Sequence, residues 1–266
     1  MIDSIKYKDL LDFADFCSNI IEFSKDIFIN EALKCKRISK GSKDASDIST
    51  IFKEIEGKWY NSIKKGKPDY SVYDNINILQ DLWACWCTYS RSYLKNISSR
   101  GLHGKSVVDD IGDIKGLLDL GCGIGYSTIV LKELFPDSFV YGYNIKNSFQ
   151  YKICNKLSEN YGFTMVSDLS KLKDIDFVFA SEYFEHYERP IEHLRNILFL
   201  FNPKYLIIAN SFTSTALGHF INYHDKDNTY DGRRISRLFN DELRKNNYQK
   251  LDTGFWNNRP TYWRKK

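Results

Sequence analysis

The sequence predicts an α/β protein with a doubly wound, mostly parallel seven-stranded sheet and a helical N-terminal extension. Two patterns lead to this fold class. Between residues 116 and 210, five short apolar runs alternate with segments of helical periodicity, which is typical of parallel strands joined by crossover helices. Two further runs, at 249–256 and 261–264, flank a turn over residues 257–260 and predict a closing hairpin.

A glycine-rich loop separates the first predicted strand from the first predicted helix. Residues 116–120 read GLLDL and predict a buried strand, and residues 126–135 predict the helix. Between them Gly121, Gly123 and Gly125 alternate through a turn, where the missing Cβ permits sharp bends and lets a ligand lie against the backbone. The free amides of the following helix favour negative charge. This order predicts a nucleotide-type ligand site.

The later elements continue the alternation. Residues 139–143, 163–167, 175–181 and 205–210 predict the second to fifth strands, and residues 148–161, 190–201 and 235–247 predict helices. Residues 211–234 are polar and aromatic, and they predict a long loop.

The first part of the chain has a different pattern. Residues 1–104 predict a helical extension that caps the substrate side of a domain formed by residues 105–266. Apolar residues at helical spacing occur at 10–23, 48–63 and 74–94, and the polar stretch 39–47 predicts a loop. The segment 74–94 is dense in large apolar side chains, which favours a helix packed on the sheet or a wall of the substrate pocket.

Composition constrains the compartment. Hydrophobic residues make up 42% of the 266 residues, enough for a packed core. The six cysteines form no C-x-x-C pair and no zinc spacing, which indicates a reduced intracellular protein. The sequence has no apolar signal core and no apolar run long enough to span a bilayer. We therefore expect a cytoplasmic location and no membrane partner.

Charge allows two interpretations of the C-terminal region. The net charge of +4 is too small to indicate nucleic-acid binding by itself. Residues 233–266, however, hold ten Lys and Arg against three Asp and Glu. This basic stretch is either a solvated face or a surface for a phosphate-bearing partner such as nucleic acid.

The run D-L-G-C-G-I-G at residues 119–125 resembles the first motif of class I S-adenosylmethionine-dependent methyltransferases. The resemblance covers about residues 105–266 and implies S-adenosylmethionine as the cofactor. It implies that Asp119 and the three glycines contact the methionine and ribose part of this cofactor. Cys122 would be a small filler within the loop.

Further positions are implied by the same resemblance, each at the carboxyl end of a predicted strand. The family places an acid after the second strand to accept the ribose hydroxyls, and here that position holds Asn144. Asp168 and the backbone of Leu169 match the adenine-binding position. Ser181 ends the fourth strand beside the expected cofactor site.

The fourth strand continues into S-E-Y-F-E-H, residues 181–186. This run resembles the S-E-x-x-E-H of a broad group of O- and N-methyltransferases, and it makes Glu182, Glu185 and His186 the candidate catalytic residues. They could act as a general base, or they could cap the following helix. They could also bind a divalent metal, since an E-x-x-E-H run with a later histidine does so in RNA 2′-O-methyltransferases. His219 and His224 are candidates for that later histidine.

Missing motifs narrow the reaction. The N/D-P-P-Y/F run of amino-methylating DNA enzymes and the Pro-Cys of cytosine-C5 enzymes do not occur. We expect methylation of an oxygen or nitrogen atom, on a small molecule or nucleotide enclosed by the aromatic N-terminal helices. The alternative acceptor is nucleic acid held by the basic residues at 64–67 and 233–266. Asn144 stands where the family has an acid. A further alternative is therefore that the protein is a non-catalytic binding subunit that keeps the methyltransferase fold.

Overall fold

The computed structural model of the protein describes residues 46–73, 102–146, 148–253 and 260–266, together with a few positions between 15 and 30. Most of the predicted helix at 10–23, the predicted helix at 74–94 and most of the predicted loop at 39–47 lie outside these residues. Within them the helices are α1 Ser46–Lys64, α2 Val107–Ile111, α3 Tyr126–Leu134, α4 Phe149–Tyr161, α5 Pro190–Phe201 and α6 Gly232–Lys245. Short 3-10 helices span Tyr70–Val72, Leu169–Lys171 and Phe184–His186.

The strands build one large sheet and a separate hairpin. They are β1 Gly116–Leu120, β2 Phe139–Tyr143, β3 Thr164–Val166, β4 Phe177–Ser181, β5 Tyr205–Ala209, β6 Asn222–Asp225, β7 Asn228–Asp231, β8 Tyr248–Leu251 and β9 Thr261–Lys265. The seven-stranded sheet has the order β3-β2-β1-β4-β5-β9-β8. Strands β1 to β5 are parallel, and β9 runs antiparallel to both β5 and β8. The predicted doubly wound, seven-stranded fold class is confirmed.

Two apolar layers cover the sheet, because successive strand residues face opposite sides. In β1, Leu117 packs into the layer formed with α2, α3 and α4, while its neighbour Leu118 packs into the layer formed with α1, α5 and α6. All five residues of β1 are buried. This burial on both faces explains why the strand is apolar apart from Asp119 rather than alternating.

The topology determines where a ligand can bind. β1 lies between β2 and β4. From β1 the chain adds β2 and β3 on one side and then crosses over to add β4 and β5 on the other side. A crevice therefore forms at the carboxyl ends of these strands, which is where doubly wound sheets bind ligands.

Residues 211–234 differ from the predicted loop, because they contain the β6–β7 hairpin and the start of α6. The hairpin is polar and mostly exposed, with Tyr223 as its buried residue, so it carries little of the apolar alternation that reveals a strand. Helix α6 begins three residues earlier than predicted, because the Asp231 side chain accepts from the Arg234 amide and caps it. β8 ends at Leu251, and residues 254–259, which hold the end of the predicted strand 249–256 and most of the predicted turn 257–260, lie outside the described residues.

The N-terminal segment packs against the carboxyl edge of the sheet. Trp59 of α1 is fully buried, and its Nε1 donates to the carbonyl oxygen of His219 at 2.8 Å. The ring of Trp59 also meets Phe220 edge-on at 5.4 Å. Among the described residues, none of the helices has the length and apolar character needed to cross a membrane.

Candidate active site at the carboxyl edge of the sheet

The glycine loop has the backbone conformation that its sequence requires. Gly121, Gly123 and Gly125 have φ angles of 71°, 56° and 98°, in the left-handed region that favours glycine. The amides of Gly121 and Cys122 both donate to the carbonyl oxygen of Tyr143, at 3.0 and 3.1 Å. The loop is therefore fixed to the end of β2, and it turns directly into α3.

Neighbouring side chains pack closely against this loop. A Cβ on Gly121 would lie 2.5 Å from the ring of Tyr183, and one on Gly125 would lie 2.7 Å from Cys154 Sγ. Cys122 is buried, with its Sγ 3.8 Å from the sulfur atoms of Cys154 and Met165. This packing agrees with the filler role predicted for Cys122.

Asp119 joins the end of β1 to the first turn of α3. Its Oδ2 accepts hydrogen bonds from Ser127 Oγ and Thr128 Oγ1, both at 2.7 Å. The side chain is 1% exposed, and this burial raises its pKa to about 6 against the effect of the two hydroxyl donors. Asp119 thus holds the loop and helix together, and its contact with the cofactor stays a prediction.

Asn144 has a structural task that the sequence did not reveal. Its Nδ2 donates to the carbonyl oxygen of Gly123 at 3.2 Å and to Gln150 Oε1 at 3.1 Å. Its Oδ1 accepts from the Ile145 amide at 2.8 Å. A carboxylate could not make the first two contacts, because it has no hydrogen to donate. The amide therefore ties the glycine loop to the end of β2.

Asp168 lies at the end of β3, as predicted. The side chain is exposed, and its Oδ1 accepts from the amide and hydroxyl of Ser170 at 3.1 and 2.6 Å. These bonds lower the pKa of Asp168, so the carboxyl is ionised at neutral pH. Leu169 follows in a 3-10 helix and packs against the apolar layer beside α5.

Ser181 is the last residue of β4 and Glu182 follows it, next to the glycine loop in the strand order. Glu182 has φ 51°, an uncommon conformation for a residue with a side chain. Its amide donates to the carbonyl oxygen of Ala209 at 2.7 Å, which anchors the turn to the end of β5. Local strain of this kind often occurs at functional sites.

Glu185 is a fully buried carboxyl group. Its Oε1 accepts from the Ser211 amide at 2.7 Å. Its Oε2 accepts from the Asn210 side chain at 3.1 Å, with that amide turned so that its nitrogen faces the carboxylate. Burial, and then the negative charge of Glu182, raise the pKa of Glu185 well above its usual range. Glu185 therefore favours its protonated form.

His186 contacts a residue from the N-terminal segment. Its Nδ1 lies 2.7 Å from the hydroxyl of Tyr73, and its ring meets that of His219 edge-on at 4.9 Å. Burial and the neighbouring His219 lower the pKa of His186 to about 3. The imidazole is therefore neutral at physiological pH.

Within the described part of the chain, Glu182, Glu185 and His219 could together hold a metal ion, since their ligand atoms lie within 4.8 Å of one another. His219 Nδ1 lies 3.0 Å from the carbonyl oxygen of Ser214. A carbonyl only accepts, so Nδ1 carries the hydrogen and Nε2 is the nitrogen with a lone pair. His224 lies instead on β6, where its Nε2 faces Glu188 at 3.4 Å.

Sequence reasoning missed three residues of this region. Asn210 directly follows β5, so the strand-end rule could have found it. Tyr73 and Gln150 carry no pattern that points to the site. They were missed because their contacts depend on the tertiary fold.

These side chains fit the predicted cofactor. Three left-handed glycines leave a loop surface without side chains at the end of β1. Asn144 and the ionised Asp168 follow the next two strands along the same edge. Ser181 is the last residue of β4, which lies on the side of β1 opposite to β2. The site therefore offers hydrogen-bond acceptors next to the glycine loop, as an adenosine-containing ligand with a charged amino-acid end requires.

Comparison with known proteins agrees with this arrangement. A sequence profile described as a methyltransferase domain matches residues 105–252. No curated protein sequence matches the chain.

Solved structures with a similar fold include the plantazolicin methyltransferase BpumL, at 23% identity and a TM-score of 0.34, covering 38% of this chain and 40% of that one. The StiE O-methyltransferase segment has 20% identity and a TM-score of 0.38, with 55% and 50% coverage. The mitomycin 7-O-methyltransferase MmcR has 11% identity and a TM-score of 0.45, with 80% and 67% coverage. The chain thus spans half or less of the length of the first two of these structures.

Proposed function

Since the chain belongs to the methyltransferase domain family and uses S-adenosylmethionine as its cofactor, we propose that it methylates an oxygen or nitrogen atom of its acceptor. The observation that carries this proposal is the glutamate pair, Glu182 and Glu185, at the end of β4 beside the glycine loop. A hydroxyl or amine acceptor must lose a proton during transfer, and a carboxylate at this position can receive it.

The two glutamates differ in their surroundings and therefore in their proposed roles. When bound, S-adenosylmethionine supplies an electrophilic methyl group that passes to the acceptor in one displacement. Glu182 is partly exposed, so we assign it the contact with the acceptor and the removal of its proton. Glu185 is fully buried between Ser211 and Asn210, so we assign it the role of a fixed neighbour that orients Glu182.

The acceptor we propose first is a small molecule or nucleotide. The aromatic side chains of the N-terminal segment support it, since Trp59 is buried over the site and Tyr70 beside it is 43% exposed. Part of the C-terminal basic charge is already paired, because Arg264 bonds Asp110 and Arg244 bonds Asp241. These pairs reduce the positive charge that is available to bind a nucleic-acid backbone.

The experiment uses purified protein, methyl-labelled S-adenosylmethionine and a cell extract separated into small-molecule, RNA and protein fractions. We expect S-adenosylhomocysteine and transferred label with the small-molecule fraction, at a rate that changes little with salt. A rate with the RNA fraction that falls steeply with salt would favour nucleic acid instead. Absence of transfer to every fraction would overturn the proposal.

A second candidate is metal-assisted 2′-O-methylation of RNA. The observation that favours it is the group formed by Glu182, Glu185 and His219. The Nδ1 of His219 bonds a backbone carbonyl, as histidine ligands of metals commonly do. In this arrangement the ligand set contains His219, one of the two candidates predicted for the later histidine, and does not include the predicted His186.

The two candidates differ in their response to chelation. The metal-assisted reaction requires that EDTA stops methyl transfer, that Mn²⁺ or Mg²⁺ restores it, and that His219→Ala binds no metal. The metal-free reaction predicts turnover that EDTA leaves unchanged.

A further inference from the structure

We propose that Tyr73 is a positioning residue of this active site, whose hydroxyl donates to His186 Nδ1 and through that ring fixes the turn carrying Glu182 and Glu185. The inference deepens the proposed function and rests on it for the role of the two glutamates. It makes residues of the N-terminal segment part of the active site rather than only a cover over it.

The contact joins two distant parts of the chain. Tyr73 directly follows the Tyr70–Val72 helix, and His186 ends the 3-10 helix that begins with Phe184. The Tyr73 hydroxyl and His186 Nδ1 are 2.7 Å apart, and the two rings meet edge-on at 5.8 Å. Ring contacts with Trp59 at 6.5 Å and Tyr70 at 6.4 Å hold the phenol in place.

We assign the phenol as the donor in this hydrogen bond. A distance of 2.7 Å is typical of an O–H donor, whereas N–H donors usually lie 2.9 to 3.0 Å from an oxygen acceptor. Burial raises the pKa of Tyr73 far above its usual value, so the hydroxyl keeps its hydrogen. His186 then carries its own hydrogen on Nε2.

Gly218 provides an independent indication that this contact is built into the fold. Its φ is 79°, and a Cβ at this position would lie 1.5 Å from the Tyr73 hydroxyl oxygen and 2.5 Å from His186 Nδ1. The hydrogen bond therefore lies directly against the backbone of Gly218. The next residue, His219, packs its ring on that of His186.

The position of His186 explains why this contact affects the glutamates. His186 follows Glu185 directly in the chain, and its amide donates to the carbonyl oxygen of Tyr183 in the same turn. Glu182, at the start of that turn, has the strained φ of 51°. A ring held by Tyr73 restrains the end of the turn, so both carboxylates keep their positions. With Nδ1 occupied by Tyr73, His186 acts as a support and not as the base.

The test is Tyr73→Phe, which removes the hydroxyl and keeps every ring contact. The matched control is Tyr60→Phe, since the Tyr60 hydroxyl lies 3.5 Å from the carbonyl oxygen of Ala216 and reaches the same loop without touching His186. Three quantities are compared: the tautomer of His186 from long-range ¹H–¹⁵N spectra, the affinity for S-adenosylhomocysteine, and the rate at saturating S-adenosylmethionine with the acceptor fraction.

We expect the wild-type His186 to be the Nε2–H tautomer and to lose this fixed state in Tyr73→Phe. The maximal rate should fall about 10- to 100-fold, as expected when reacting groups shift by a fraction of an ångström to an ångström. The affinity for S-adenosylhomocysteine should stay within about twofold. Tyr60→Phe should keep both the tautomer and the rate.

Contrary results distinguish a failure of the inference from a failure of the proposed function. A wild-type His186 in the Nδ1–H form, or a tautomer unchanged in Tyr73→Phe, overturns the inference whatever the activity. An equal loss of rate in Tyr60→Phe also overturns it, because general docking of the N-terminal segment would then explain the effect. If the wild type transfers no methyl group while its tautomer is as expected, the proposed function fails and the contact stands.

Discussion

The side-chain amide of Asn144 donates to the backbone carbonyl oxygen of Gly123 at 3.2 Å, so the residue after β2 supports the glycine loop after β1. In Asn144→Asp the carbonyl loses its donor, and the free energy of unfolding should fall by about 1–3 kcal/mol. The new carboxylate can accept both ribose hydroxyls, so S-adenosylhomocysteine should bind more tightly. Chemical denaturation and isothermal titration measure the two effects.

The control for this substitution is Asn155→Asp, which makes the same chemical change at an exposed position of α4. It should leave both quantities nearly unchanged. If Asn144→Asp is as stable as the wild type, the contact with Gly123 does not stabilise the loop.

Gly121→Ala should displace the glycine loop. The substitution places a methyl group 2.5 Å from the Tyr183 ring at a φ of 71°. We expect the affinity for S-adenosylhomocysteine to fall by about tenfold or more. Gly162→Ala has a similar φ of 68°, but its nearest neighbour is Lys132 Cε at 3.7 Å, so it carries the backbone cost of about 1 kcal/mol without the clash. Equal affinities in the two variants would show that Tyr183 does not shape the loop.

Asp119 should make stability depend on pH. Its pKa is raised to about 6 in the folded protein, so between pH 4 and pH 6 the unfolded chain releases a proton that the folded chain retains. The contribution of Asp119 to stability is therefore fully present below about pH 4 and is lost as the pH rises through 6, a change of about 3 kcal/mol. Asp119→Asn has no carboxyl group to titrate here. The unfolding free energy of this variant minus that of the wild type should therefore rise between pH 4 and pH 6. A constant difference between the two proteins would contradict the assignment.

The elements of the sheet could be predicted from the sequence because their signals are local. β1 is apolar apart from Asp119 since both of its faces are buried, and α5 begins at Pro190 as its sequence indicates. The β6–β7 hairpin was missed because Tyr223 is its buried residue and, apart from the half-buried Tyr230, the others are polar. The hairpin depends on packing against α5 and α6 rather than on its own periodicity.

The candidate site could be predicted in part for the same reason. Strand ends located Asn144, Asp168 and Glu182, because the topology brings the carboxyl ends of parallel strands together. The partners of these residues could not be predicted. The hydroxyl of Tyr73 and the imidazole of His186 are separated by 113 positions, and the donor function of Asn144 depends on a backbone carbonyl that no side-chain pattern encodes.

Substitution of Glu182 tests most directly whether the glutamate pair takes part in methyl transfer. Wild-type protein and Glu182→Gln are mixed with methyl-labelled S-adenosylmethionine and the acceptor fraction, and the transferred label is followed while the affinity for S-adenosylhomocysteine is measured in parallel. We predict that Glu182→Gln transfers the methyl group about 100-fold more slowly, because it cannot remove the proton of the acceptor, while the affinity stays unchanged. Transfer by Glu182→Gln at the wild-type rate would contradict the assignment of the reaction to this site.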